Sequence, residues 1–371
     1  MSDRKYAAAG VDYSVIDPSK LLAQEFAAKT AGQLARLGLE EVESSRGESA
    51  YIVKMGPISL AFVTEALGTK NLVADAVRAY TGRTHYDAIA RDTVATILND
   101  LCSVGARAAC LTSYWGAGDG AWFADAERAR DLTEGWAAAC LECRVSWGGG
   151  ETQVLPSLIE PGRIVLGGSA LGLITSPEQT LHGERLQVGD QILLAPASGI
   201  HANGLSLARK VAAGLPQGYQ TPVPDDPAGR SYGECLLDPT PQYAPLVEDL
   251  QSAGVPLHYA AHITGHGWRK LMRANRDLGY VMRHVPKVPA VLTFLQEHAD
   301  MSPEEAYGTL NMGAGFALYL PEAAVQAAIT VGRKSGFELL HAGAVLAGPR
   351  RVEVLPLGLR FEGASLQVRR A

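Results

Sequence analysis

GDQILLAPASGIHANGLSLARK (189–210) runs from an apolar stretch through a small polar loop into a helical spacing. QILLAPA (191–197) has the length and apolar character of a strand. NGLSLARKVAAG (203–214) repeats apolar residues at helical period, with Asn203 placed to cap it. Between them, SGIHANG (198–204) sets Ser198, His201 and Asn203 between a strand end and a helix start, where unpaired backbone N–H groups favour an anion. A strand handing over to a helix in this way points to a mixed chain of the α/β or α+β class.

The alternation continues outward. AYIVKM (50–55) and ISLAFVT (58–64) read as strands, with MGP making the hairpin turn. Residues 19–37 repeat apolar side chains at helical spacing, as do 86–104 and 126–143. IVLGGSALGLI (164–174), GYVMRHV (279–285), GFALYL (315–320), ELLHAGAVL (338–346) and RVEVLPL (351–357) are further strands. Helices are expected at 241–254, near 290–298 and at 321–336, the last with Pro at its start and Gly at its end. The polar stretch TSPEQTLHGERLQVGD (175–190) breaks the pattern, so two domains are expected, 1–175 and 176–371. No internal repeat is visible.

Composition narrows the function. Of 371 residues, 47% are apolar and 19% charged, a globular balance. The net charge of −6 gives no global basic field to recruit nucleic acid or an anionic membrane. The N-terminal stretch MSDRKYAAAGVDYS lacks an apolar signal core, and no run of about 18 apolar residues exists, so a soluble cytoplasmic protein is expected. The five cysteines are an odd number, which argues against a disulfide framework. Cys140 and Cys143 form a C-x-x-C with no second pair to complete a zinc site, and read as a buried helical face.

Several short stretches carry candidate chemistry. TEALGTK (64–70) puts Glu65, Gly68, Thr69 and Lys70 on the loop after a strand. It is not a phosphate-binding P-loop, because Val63 stands where the first glycine is required. Alone it reads as a turn, or as a loop whose Glu65 offers oxygen to a metal while Lys70 meets phosphate. YDAIARDTVATILND (86–100) carries Asp87, Asp92, Asn99 and Asp100 on an otherwise apolar helix, with Asp92 and Asn99 near one face. Such carboxylates suit Mg²⁺, or else form a capped and solvated face. WGGGETQ (147–153) places three glycines before Glu151, either for backbone approach to a ligand or for a bulge. HITGHG (262–267) and TLNMGAG (309–315) are glycine-bracketed loops.

Taken in order, these stretches resemble the aminoimidazole ribonucleotide synthetase family, also called phosphoribosylformylglycinamidine cyclo-ligases. The matching segments are AGVDYS (9–14), LGTK (67–70), YDAIARD (86–92) with NDL (99–101), GGGET (148–152), the opening block 189–210, LLDPTPQY (236–243), AHITGHG (261–267) and NMGAG (311–315). The resemblance implies a two-domain α/β fold, with the N-terminal sheet completing a barrel across a homodimer and a C-terminal α/β sandwich. It implies ATP and Mg²⁺ as cofactors and a ribonucleotide as substrate. The family reaction phosphorylates the formyl oxygen of formylglycinamidine ribonucleotide, and an amidine-side nitrogen then closes the imidazole ring. On this carry-over Glu65, Asp87, Asp92 and Asp100 hold the metal. Asp12, Gly68, Thr69, Lys70, Asp92, Asn99, Gly149, Gly150 and Thr152 bind ATP. Lys70, Asp87, Glu151 and His201 are catalytic. Ser198, His201, Asn203, His262, Thr264 and Asn311 face the substrate.

The chain departs from the family at several points. Glu65 and Ala66 replace the usual Asp-Gly, Tyr86 a His, and QVLPS (153–157) an Ala-Glu-Met-Pro-Gly; His266 stands in a glycine loop, and Gly308 and Leu310 replace Arg and Phe. These changes keep two other readings open: a paralogue acting on another acyl or amide acceptor, and a non-catalytic nucleotide-binding dimer.

Overall fold

The computed structural model describes Lys5, Ala9, Gly10 and residues 12–367. The first half is a six-stranded sheet in the order β1-β2-β3-β6-β4-β5. Its strands are β1 (Glu40–Glu41), β2 (Tyr51–Met55), β3 (Ile58–Ala66), β4 (Arg107–Ala117), β5 (Ser146–Val154) and β6 (Ile164–Ile174). The β2–β3 hairpin turns at Gly56 and Pro57 as the sequence expects, and β3 pairs with β6 along its length. Helix α1 (Tyr13–Ala28) precedes the sheet, and α2 (Lys70–Thr81) and α3 (Tyr86–Ser103) follow β3. Two further helices, α4 (Ala121–Ala124) and α5 (Ala126–Glu142), separate β4 from β5.

Strand alternation makes this sheet one-sided. Ala61 and Val63 point under α3 and are buried, whereas Phe62 and Val165 on the opposite face are exposed. Helix α3 is buried nearly all round, because it packs on β3 and β6 and also meets the second half.

The second half is a seven-stranded sheet in the order β13-β12-β9-β11-β7-β10-β8. Its strands are β7 (Gln191–Pro196), β8 (Tyr259–His262), β9 (Leu278–Met282), β10 (Ala314–Leu320), β11 (Leu340–Ala347), β12 (Arg351–Val354) and β13 (Leu359–Glu362). Its helices are α6 (Leu205–Gly214), α7 (Tyr232–Leu236), α8 (Ala244–Ser252), α9 (Ala290–His298), α10 (Pro303–Thr309) and α11 (Val325–Lys334). Strands β7 and β10 are buried along nearly their whole length, which is why they read as continuous apolar runs.

Two expectations need correction. The N-terminal helix begins at Tyr13 and ends at Ala28, and a 3₁₀ turn covers Ala31–Leu37, because Gly32 and Gly38 break the helical run. Asn203 does not cap α6; Gly204, in the left-handed region at φ 92°, takes that position. Strands β1, β4, β5, β8 and β13 and helices α2, α4, α7 and α10 went unread. Strand β4 mixes small and polar residues, and β8 has only four.

Candidate functional site

The loop after β3 carries Gly68 at φ 79° and starts α2 at Lys70. This turn drives the Lys70 side chain inward rather than toward solvent. Its ammonium is fully buried, 2.7 Å from Asp92 Oδ2, and donates to the Asp238 carbonyl at 2.8 Å. Asp92 Oδ1 accepts from the Thr240 backbone N–H at 2.8 Å and from its hydroxyl. Burial pushes the Asp92 carboxyl up, and Lys70 and Thr240 pull it back. Two turns on, Asn99 donates to the Pro241 carbonyl and accepts from the Tyr243 N–H at 2.8 Å. Lys70, Asp92 and Asn99 therefore fasten the LLDPTPQY segment of the second half to α3. The structure has them grip protein where the sequence expected ATP and a metal.

Asp100, one residue beyond Asn99, turns to a different neighbourhood. It accepts from His262 Nδ1 at 2.7 Å, which fixes that imidazole's orientation. Burial pushes Asp100 up, yet the His262 bond and the nearby Lys270 and Arg273 hold it below its ordinary range. Glu65, at the end of β3, lies close by. Burial, then the Asp100 charge, push its carboxyl up to about 7. Both acids line a cavity of about 350 Å³, whose far wall comes from the second half: Asn203, Thr264, His266, Lys270 and Arg273. Burial, with Arg273 beside it, pulls the Lys270 ammonium down to about 7.

The rim belongs to α1. Tyr13 stacks on His266 with ring centroids 3.8 Å apart, and Asp17 meets His266 Nε2 at 3.2 Å. A Cβ on Gly265 would lie 2.1 Å from the Tyr13 hydroxyl, so this stack requires glycine there. His266 itself sits at φ 69°. Asp12 caps α1 through Ser14 N–H at 2.9 Å, a bond internal to the helix.

The other expected residues fall elsewhere. Asp87 is half exposed and pairs with Arg83 at 2.8 Å on the outer end of α3, away from Glu65 and Asp100. Gly149, Gly150, Glu151 and Thr152 lie on edge strand β5 and do not line this cavity. Their glycines serve a register shift against β4, where a Cβ on Gly150 would sit 1.9 Å from the Ser113 carbonyl oxygen. Ser198 donates its hydroxyl to the Pro239 carbonyl, and Asn311 donates to the Gly199 carbonyl at 2.8 Å, so both shape loops. His201 is buried at φ 60°; its Nε2 accepts from Ser198 N–H at 3.3 Å, and its Nδ1 has no partner among the described residues. Burial holds it neutral, well below the ordinary histidine range. Thr69 precedes α2 without a side-chain cap bond. Cys140 and Cys143 are buried at the end of α5, the buried helical face that the sequence suggested.

Of the residues predicted from sequence, the cavity gathers Glu65, Asp100, Asn203 and Thr264. Sequence reasoning missed Lys270 and Arg273. Their only signal was the basic run WRKLMR (268–273) directly after the glycine loop.

Residues 47–174 match the AIR synthase related protein N-terminal domain, and residues 187–355 match the corresponding C-terminal domain. The chain belongs to the AIR synthase-related family. Within that family it is 31% identical over 327 residues to the phosphoribosylformylglycinamidine cyclo-ligase of Methanothermobacter thermautotrophicus, covering 88% of this chain and 90% of the relative. It is 34% identical over 302 residues to the cyclo-ligase of a Synechococcus strain, covering 80% and 83%. Among solved structures, the hydrogenase maturation protein HypE in complex with ATP aligns with a TM-score of 0.60 at 20% identity, over 83% of this chain and 84% of that one. Thermotoga maritima PurL complexed with ATP aligns with a TM-score of 0.53 at 18% identity, over 85% of this chain and 45% of that one. These two likenesses establish the fold. Among the described residues no helix is long and apolar enough to cross a membrane.

Proposed function

We propose that this protein closes an imidazole ring, converting formylglycinamidine ribonucleotide to 5-aminoimidazole ribonucleotide with ATP as phosphoryl donor and ADP and phosphate as products. The identity to named cyclo-ligases over most of both chains supports the reaction. The observation that carries it is the cavity itself, where Glu65 and Asp100 of the first family module face Asn203, Thr264 and Lys270 of the second. A formamide oxygen is a poor leaving group, and phosphorylating it repairs that. Such a transfer asks a protein for positioning and charge neutralisation more than covalent help.

The carboxylates fit Mg²⁺. Glu65 is pushed toward neutrality by burial and by Asp100, which is the electrostatic situation a divalent cation relieves. One or two carboxylates plus phosphate oxygens is also the ordinary protein environment of this ion. Glu65 and Asp100 would hold it, and when bound it would neutralise phosphate charge. Asp92 and Asp87 are left out of this set: the first is closed by Lys70 and Thr240, the second faces Arg83. The chain's own groups supply the rest. Asp100 orients His262, Asn203 and Thr264 offer hydrogen bonds from the second half, and α1 forms the rim.

The same reading makes the enzyme a homodimer in which a second copy covers the open face of the first sheet, where Phe62 and Val165 stand exposed. It also makes the enzyme cytoplasmic, since a phosphorylated substrate does not cross a bilayer unaided. The test is release of ADP and phosphate from purified protein with ATP, Mg²⁺ and formylglycinamidine ribonucleotide, beside Asp100→Asn. Release that depends on the ribonucleotide and falls in the variant supports the proposal. ATP consumption indifferent to that compound would sink it, and dependence on a different acyl acceptor would replace it with the paralogue reading.

A further inference from the structure

The lysine of the glycine loop is spent on structure: Lys70 is sealed between Asp92 and the Asp238 carbonyl. Yet chemistry on phosphorylated substrates needs a cation that is both present and unengaged. Three cationic side chains line the cavity: Lys20, Lys270 and Arg273. Lys20 pairs with Asp17 at the exposed rim. Arg273 donates to the Gly47 carbonyl and to Ser49 Oγ, and pairs with Glu48. Its guanidinium thus holds the segment before β2 in place.

Lys270 is different. It extends from the 3₁₀ helix Gly267–Met272 and is only 8% exposed, with its side chain lining the cavity. It makes no side-chain hydrogen bond and no ion pair with any described residue. Glu65 and Asp100 lie near enough to act on it electrostatically without reaching it. Burying an ammonium without a partner is costly, and a fold keeps such a group where a ligand supplies the missing charge.

We propose that Lys270 is the phosphate-recognising residue of this cavity, taking an anionic oxygen from the nucleotide or from the ribonucleotide's 5′-phosphate. This rests on reading the cavity as the reaction site, and it transfers to Lys270 the role that the sequence suggested for Lys70. An ammonium binds phosphate as a point charge with three donors, so it tolerates the change of phosphate geometry during transfer.

Isothermal titration of the full chain tests it, with ADP plus Mg²⁺, ribose 5-phosphate, and adenosine as the uncharged control. Lys270→Met and Lys270→Gln each remove the charge, so the result does not hang on one variant folding. Lys270→Arg retains the charge. Either neutral variant should weaken ADP or ribose 5-phosphate roughly tenfold or more, with adenosine unaffected and part of the loss restored by arginine. Loss for ADP alone assigns the nucleotide; loss for ribose 5-phosphate alone assigns the substrate's phosphate. Unchanged affinity for both, an equal loss for adenosine, or no binding of either phosphate to the parent protein overturns the inference. Binding that depends on Lys270 in a protein that fails to cyclise formylglycinamidine ribonucleotide would sink the proposed function and leave this inference standing.

Discussion

Lys70 and Asp92 form an ion pair with both side chains fully buried. Removing one partner strands the other charge, whereas replacing both with apolar groups need not cost stability. Lys70→Met should therefore destabilise the protein by about 3–5 kcal/mol in urea unfolding, and Lys70→Met with Asp92→Leu should recover most of that. A single-variant loss below about 1 kcal/mol would show the pair to be unimportant. His266 offers a pH test. Burial, then Lys270 and Arg269, pull its imidazole down to about 4 from an ordinary 6.5. Between those values the unfolded chain binds a proton that the native chain refuses. The stability linked to His266 is thus present above about pH 6.5 and lost as pH falls toward 4, by up to about 3 kcal/mol. Melting temperatures of His266→Asn across this range should fall less steeply than the parent's; parallel curves would refute the assignment.

At the scale of elements, α1 has no buried residue and leans on the body through Tyr13 and Asp17 at His266. His266→Gly should therefore raise hydrogen exchange in residues 13–28 while leaving protection in α3 unchanged, because the left-handed backbone there suits glycine. Unaltered exchange in α1 would mean that other contacts hold it. The same elements show what a sequence can tell. Strands β7 and β10 and helix α3 were legible because their burial imposes a pattern: continuous apolar runs in the strands, helical spacing in α3. The acids on α3 were legible as residues but not as partners. Asp92, Asn99 and Asp100 share one helix, yet the first two meet residues 240–243 and the third meets His262 on β8, and those pairings span more than 140 residues of chain. Lys70 likewise has the local look of a phosphate ligand, and only the direction of the turn at Gly68 consigns it to the interior. Lys270 went unread because a lysine in a basic run looks solvated until packing buries it.

For the whole molecule, the open face of the first sheet carries the clearest expectation. Exposed apolar side chains on paired strands favour self-association, so sedimentation equilibrium should give a dimer. Phe62→Glu should shift it toward monomer without lowering the melting temperature of the isolated subunit, and a parent that sediments as a monomer would refute the arrangement. The fastening along α3 reaches further. Its carboxylate and amide hold residues 240–243 of the second half, while the next residue along supplies an acid of the cavity. The two modules thus share one inheritance unit smaller than either. A chimera joining the front of this chain to the back of a relative inherits a working chamber only if it also inherits the matching Thr240 and His262. For such a chimera of this chain, the pairings to be matched lie far from residue 175, where the sequence alone would place the join.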